Sequence, residues 1–292
     1  MSPYELLLIP AAGTYVGATF LARAAGLRGV RSAPLALLAM GTSLLVACCA
    51  LLAAGWGVPL RELYLPGMLW VALPGGFAGA LGLCCSFMAL RQRATGPVSV
   101  VSSMSVLVPI GMALALGWDA ALGPARVAGA LLAVGGLTLI NLARGARVEG
   151  FRFHWLPLAL GAMLAFGISQ TAQKYITVLY PDLGPRSRLV FMAVYYAVCT
   201  VTLAAYLLCV REGVERRAVP FAAGLALCSF VQFGCMLILL QHVPTARVYI
   251  TFTGGGNIAV LLVSAGLLKE RYSALAWLGC LAGVAGIVLL RL

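Results

Sequence analysis

Residues 129–140, GALLAVGGLTLI, lie over residues 279–290, GCLAGVAGIVLL, with a shift of 150. Gly129/Gly279, Leu131/Leu281, Val134/Val284, Gly136/Gly286 and Leu139/Leu289 coincide. A small apolar alphabet yields some matches by chance, but matched glycines are less easily produced that way. Outward from this stretch the halves align with a shift of 151. Tyr15 then meets Phe166, Arg23 meets Lys174, Ser103 meets Gly254 and Asp119 meets Glu270. A repeat of this length is an architectural signal.

The chain has 292 residues, 62% of them hydrophobic and 10% charged. A soluble domain carries about 25% charged residues, and a bilayer is crossed by about 20 mostly apolar ones. The composition is that of an integral membrane protein with no room for a soluble domain. Arg, Pro and Gly punctuate the apolar runs and predict ten helices: 3–23, 34–56, 66–89, 97–117, 124–143, 155–177, 188–210, 219–240, 245–267 and 273–291. Pro97, Pro124 and Pro244 stand where a proline opens a helix without forfeiting a needed hydrogen bond. The expected fold is all-α, with residues 1–147 as one five-helix repeat and 148–292 as the second. Five is odd, so the second repeat is inverted in the membrane. Inverted repeats are the architecture of secondary transporters, with the site near the midplane between the halves.

The net charge of +12 comes from basic residues scattered between apolar runs. That pattern suits membrane loops near anionic headgroups, not a nucleic-acid stripe. The loops after the first, third, fifth, seventh and ninth spans hold 13 of the 20 basic residues, which places both termini outside. Only Lys174 and Lys269 are lysines, a bias of GC-rich genomes that points to a bacterial plasma membrane. Met1 to Pro10 has no basic n-region, so no cleavable signal peptide is expected. The nine cysteines include Cys48–Cys49 and Cys84–Cys85 but no metal spacing, so they read as small buried hydrophobes. No metal or cofactor is expected.

Two stretches carry a family resemblance. FMALRQRATGPVSVVSSMSVLVPIGMALALGWDAALGPARVAGALLAVGGLTLI ends one helix on Ala-Leu, turns through small polar residues, then gives a helix with a mid-span proline, an acid, and a glycine-spaced helix. PTARVYITFTGGGNIAVLLVSAGLLKERYSALAWLGCLAGVAGIVLL is similar and holds Glu270-Arg271. They resemble the two halves of EamA-type proteins of the drug/metabolite transporter superfamily. The first half departs from the pattern with Asp119 in place of Glu-Arg, and the second with Gly254-Gly255-Gly256 and no proline in the ninth span. The resemblance implies ten helices, alternating access, termini in the cytoplasm and carriage of a small metabolite, often outward. On the termini it disagrees with the charge count.

Candidate site residues are the polar ones at depth. Ser99, Ser102 and Ser105 share a helix face, with Ser103 beside them. Either they bond back to carbonyls and pack helices closely, or they line a cavity, with loosening at Pro109. At the matching depth of the ninth span stand Thr251, Thr253, Gly254, Gly255, Gly256 and Asn257. Each glycine costs a helix about 1 kcal/mol relative to alanine, so the run reads as a hinge, a backbone-exposing ligand surface or a close-packing face. The sixth span offers Ser169, Gln170, Gln173 and Lys174. Lys174 either snorkels to the interface or faces the cavity and attracts a carboxylate or phosphate. Gln232 lies mid-span with no terminus to reach. Tyr15, Trp70, Tyr195, Tyr196 and Tyr249 could stack on or hydrogen-bond a substrate; near span ends aromatics are more often interface anchors, which leaves Tyr15 as the substrate contact.

No acid lies at mid-membrane, since Glu5, Asp119 and Glu270 are at span edges, as are His154 and His242. A cation/proton antiporter needs a carboxylate at depth, so a neutral, zwitterionic or anionic metabolite such as an amino acid fits better, moved by a monomer, with a homodimer left open. No hydrolase motif is visible, so no enzyme is expected. The alternative is a flippase, or a partner subunit, acting on an anionic lipid-linked substrate. Lys174 and the net charge motivate it, and it calls for a lateral opening lined by arginine.

Overall fold

The computed structural model describes residues 3–55, 65–91, 101–119, 123–144, 155–267, 269 and 271–290. Pro97, Ser99, His154 and Glu270 lie outside the described residues. Among the described residues ten helices of more than one turn follow one another: α1 (Leu8–Leu27), α2 (Ser32–Gly55), α3 (Met68–Arg91), α4 (Leu107–Ala115), α5 (Pro124–Arg144), α6 (Trp155–Leu179), α7 (Pro185–Val210), α8 (Val219–His242), α9 (Thr245–Leu267) and α10 (Ala274–Leu289). Tighter 3-10 turns at Pro3–Leu7 and Arg216–Ala218 lead into α1 and α8, and another at Met104–Val106 precedes α4. Among the described residues there is no strand.

Among the described residues, six helical segments are long and apolar enough to cross a membrane, those holding α1, α2, α3, α7, α8 and α9. Outward-facing Leu45, Leu131, Val201 and Leu208 are 65, 70, 69 and 79% exposed. A belt of such residues would be costly in water and is at home in lipid. The chain is a multi-pass, all-helical membrane protein.

The helix edges follow local chemistry. Proline opens α5 at Pro124 and α7 at Pro185, where the missing N–H is not needed. Pro244 sits one residue ahead of α9. Ser273 caps α10, its side chain accepting from the Ala276 N–H at 3.4 Å. Arg211 closes α7 in a left-handed conformation. Pro109 falls in the first turn of α4, directly after the 3-10 turn. A proline there removes the bond that would run to the Ser105 carbonyl, so the helix tightens instead of continuing as regular α. Pro74 lies inside α3, an interruption the sequence reading passed over.

α3 packs on α6 and α7, α8 on α1 and α2, and α2 on α7. α4 packs on α6, α9 on α1, and α5 on α10. The α5–α10 contact is made by the glycines that opened the sequence reading. A Cβ at Gly129 would stand 2.8 Å from the Gly286 carbonyl oxygen, and one at Gly136 would stand 2.5 Å from that of Gly279. Small residues let helix backbones meet in a bilayer, where apolar side chains gain nothing by leaving lipid. The largest buried cluster joins α2, α3, α7 and α8 around Phe191, Tyr195, Tyr196 and Phe233.

Candidate functional site

Midway along the bundle, α2, α3, α6, α7, α8 and α9 line a cavity of about 230 Å³. Its lining is Met40, Gly79, Leu83, Phe166, Gln170, Gln173, Tyr195, Tyr196, Cys199, Ser229, Gln232, Phe233, Met236, Tyr249 and Phe252. No charged side chain is among them. The rings form one side, with Phe233 centred 4.7 Å from Tyr195 and 5.6 Å from Tyr196. Their hydroxyls are anchored. Tyr195 shares a 2.7 Å hydrogen bond with Ser169, Tyr196 donates to the Ser229 carbonyl at 3.0 Å, and Tyr249 donates to the Gln170 carbonyl at 2.8 Å. Gly79 makes room for the Tyr195–Ser169 pair, because a Cβ there would stand 3.1 Å from Ser169 Oγ and closer still to the Tyr195 hydroxyl.

The amides supply the polar side. Gln170 Nε2 donates to Ser105 Oγ at 3.4 Å, and its Oε1 is buried without a hydrogen-bond partner. Gln173 and Gln232 have no hydrogen-bond partner among the described residues. An amide in a membrane interior that has no protein partner is a ready contact for a ligand or water.

One turn along α6 from Gln170 the cavity gives way to a charged plug. Lys174 Nζ lies 3.0 Å from Asp119 Oδ1, with side chains only 8% and 10% exposed. Lys174 also donates to the Leu240 carbonyl at 3.2 Å, and the Thr245 N–H donates to Asp119 Oδ2 at 2.6 Å. The plug thereby ties α6, the chain leaving α4, the end of α8 and the start of α9. Beside it Arg247 Nη1 donates to Glu5 Oε1 at 3.0 Å, and Tyr4 packs on His242 with ring centroids 3.7 Å apart. This is the end of the bundle that holds both termini. At the opposite end Arg31 and Glu215 stand 4.0 Å apart, with side chains 62% and 38% exposed.

Of the candidate residues, the structure brings Gln170 and Gln232 to the cavity. Lys174 neither snorkels nor faces the cavity: it meets the chain's own carboxylate. Tyr15 sits beside the cavity's edge residue Phe252, its ring centred 5.4 Å away. Its hydroxyl accepts from Asn257 Nδ2 at 3.2 Å, and Asn257 also donates to the Thr253 carbonyl at 2.8 Å. Ser105 is buried and reaches the cavity through Gln170. Ser102 Oγ is buried without a partner, and Ser103 is half-buried. α9 runs unbroken through Gly254, Gly255 and Gly256. Their surroundings differ: Gly255 faces open space, Gly254 meets Ile287 at ordinary contact, and a Cβ at Gly256 would lie 2.6 Å from the Tyr15 ring.

Tyr195, Tyr196 and Tyr249, expected as interface anchors, are buried around the cavity instead. Trp70 does have an anchor's setting, 82% exposed near the start of α3. Cys84, Cys199, Cys235 and Cys280 are buried free thiols, whereas Cys48, Cys49 and Cys209 are exposed on the outer faces of their helices. A second hollow of about 470 Å³ lies on the outer surface between α3, α4 and α6. It is apolar, and Trp118 stacks on Tyr175 at its end with centroids 5.4 Å apart.

No family model matches the chain. No curated protein matches it either. Solved structures do: a crystal structure of a protein superposes on 99% of this chain and 96% of its own length, with a TM-score of 0.76 at 19% identity. At that identity the likeness shows a shared fold, which extends over 99% of this chain.

Proposed function

We propose that this chain is a secondary transporter of the EamA type in the drug/metabolite transporter superfamily, carrying a small polar metabolite by alternating access in a bacterial plasma membrane. The observation that carries the reading is a mid-depth cavity built from both halves of the sequence and plugged at one end by a buried ion pair. A site at the midplane between repeats is what alternating access requires.

The packing supports an inverted repeat with halves at 1–147 and 148–292. Exchange α1 with α6, α2 with α7, α3 with α8, α4 with α9 and α5 with α10. The contact of α3 on α6 then becomes α8 on α1, α3 on α7 becomes α8 on α2, and α4 on α6 becomes α9 on α1, all of which occur. The glycine contacts obey the same exchange. Gly129 against Gly286 maps onto Gly279 against Gly136. A two-fold axis lying in the membrane plane produces this pattern.

The uncharged lining disfavours cations, since a cation at that depth has no carboxylate to meet. Neutral, zwitterionic or anionic solutes remain, with export as the direction. The outer hollow adds nothing to the flippase reading, because its described lining holds no arginine. The test is flux in proteoliposomes across a metabolite panel. Folded protein that moves no solute refutes the proposal.

A further inference from the structure

We infer that the central cavity takes an uncharged, flat molecule that carries an amide-like edge with at least one hydrogen-bond donor. The inference rests on the transporter reading only for what happens after binding, because its observations concern the cavity itself.

Charge decides first. The nearest buried charges, Lys174 and Asp119, are 3.0 Å apart and committed to one another. Lys174 also donates to the Leu240 carbonyl, and Asp119 accepts from the Thr245 N–H. An ion of either sign in the cavity therefore finds no free counter-charge among the described lining residues, which the membrane interior penalises heavily. A zwitterion can be held in such a place by helix ends, whose free N–H groups face a carboxylate. Four of the six lining helices offer no such end. α6, α7, α8 and α9 pass the cavity as unbroken helices, from Trp155 to Leu179, Pro185 to Val210, Val219 to His242 and Thr245 to Leu267. Their termini lie at the bundle ends, away from the cavity. The class narrows from neutral, zwitterionic or anionic solutes to uncharged ones, which leaves free amino acids out.

Hydrogen bonding decides next. Gln170 Oε1 is a buried acceptor with no donor, so the occupant brings an N–H or O–H to it. Gln173 and Gln232 add amides without protein partners among the described residues. A side-chain amide presents donor and acceptor side by side and pairs with a matching edge, as it does on a nucleobase. Shape decides last. Phe166, Phe233 and Tyr195 offer ring faces suited to stacking on a flat apolar surface. The volume of about 230 Å³ is below that of drug-sized pockets.

The test uses the purified chain in lipid nanodiscs and reads affinity by calorimetry, with flux measured separately in proteoliposomes. The probes are nicotinamide and hypoxanthine as uncharged flat amides, phenylalanine as a zwitterion, benzoate as an anion and cyclohexanecarboxamide as a non-planar amide. Nicotinamide or hypoxanthine is expected to bind at least tenfold more tightly than the other three. Gln170→Leu and Gln232→Leu are each expected to weaken that binding about tenfold. Phenylalanine or benzoate binding as tightly as the uncharged probes overturns the inference, as does no binding of either flat amide to protein that stays monodisperse. Flux of phenylalanine alone would sink this inference and spare the transporter reading. Binding of the flat amides without flux of any solute would do the reverse.

Discussion

Neutralising Lys174 should open the plugged end of the cavity. In the closed arrangement Lys174 and Asp119 are 3.0 Å apart and nearly dry. Lys174→Met leaves the Asp119 carboxylate buried with only the Thr245 N–H, 2.6 Å away, to stabilise it. Removing one partner of a buried pair costs about 3–5 kcal/mol. Opening that end hydrates the carboxylate, so the penalty falls on the closed state alone. The closed-to-open ratio then falls by about a hundredfold to a few thousandfold, enough to invert a strongly closed equilibrium. The assay places a thiol in the cavity with Ser229→Cys and counts its labelling by a membrane-impermeant maleimide in liposomes, read on that peptide by mass spectrometry. Protease access to an N-terminal tag in the same vesicles fixes which face is being labelled. Labelling from the terminal side should rise at least tenfold in Lys174→Met and in Asp119→Asn. The double variant Lys174→Met/Asp119→Leu buries no charge and should return toward the parent rate. Parent-like labelling in both single variants, with the fold intact, refutes the plug as a gate.

Gln232→Leu should fold and lose transport, because its amide has no protein partner among the described residues; wild-type flux would make Gln232 merely structural. In α9, Gly255→Ala should raise thermal stability by up to about 1 kcal/mol, because a Cβ there meets nothing within 4 Å. Gly256→Ala should slow turnover and destabilise instead, since its Cβ would lie 2.6 Å from the Tyr15 ring; equal melting temperatures for the two variants would contradict this. Ser102, Ser103 and Ser105 changed together to alanine should weaken substrate affinity before turnover, through the lost Ser105–Gln170 bond of 3.4 Å; isothermal titration beside flux separates the two. Gly136→Leu should prevent α5 and α10 from closing and reduce yield of monodisperse protein, an outcome size-exclusion chromatography reads directly.

The helices were legible because their ends carry strong local chemistry. Pro124 opens α5 where it was expected, and α9 begins at Thr245 straight after Pro244. The glycine match between the tenth and fifth spans was legible for a deeper reason: those glycines are one another's contacts. Gln232 stood out because an amide in mid-span must meet something other than lipid. The tyrosines of α7 read either as substrate contacts or as interface anchors. That helix is apolar on every side, and no polar stripe separates its lipid face from its bundle face. Tyr195 and Tyr196 could therefore not be told from belt residues by position alone. The partner of Lys174 was also beyond reach. Asp119 comes from the other half of the chain, and only the crossing of α4, α6 and α9 brings it there.

Gln170 joins the cavity to the plug. Its side chain reaches Ser105, in the 3-10 turn ahead of α4, and its carbonyl receives the Tyr249 hydroxyl from α9. Lys174 lies four residues further along α6, on the same face, and holds the chain that leaves α4 and the start of α9. One turn of α6 thus grips α4 and α9 twice, once with neutral groups at the cavity and once with charges at the plug. An occupant that satisfies Gln170 Oε1 acts on the first grip. It changes the balance of the second without touching it, because both grips position the same two helices. The α5–α10 pair is held by close glycine–backbone packing instead and lends itself to staying fixed while those bonds exchange. In the transporter proposed above, substrate recognition and gating would in this way be carried by neighbouring residues of a single helix, close enough for packing to couple them.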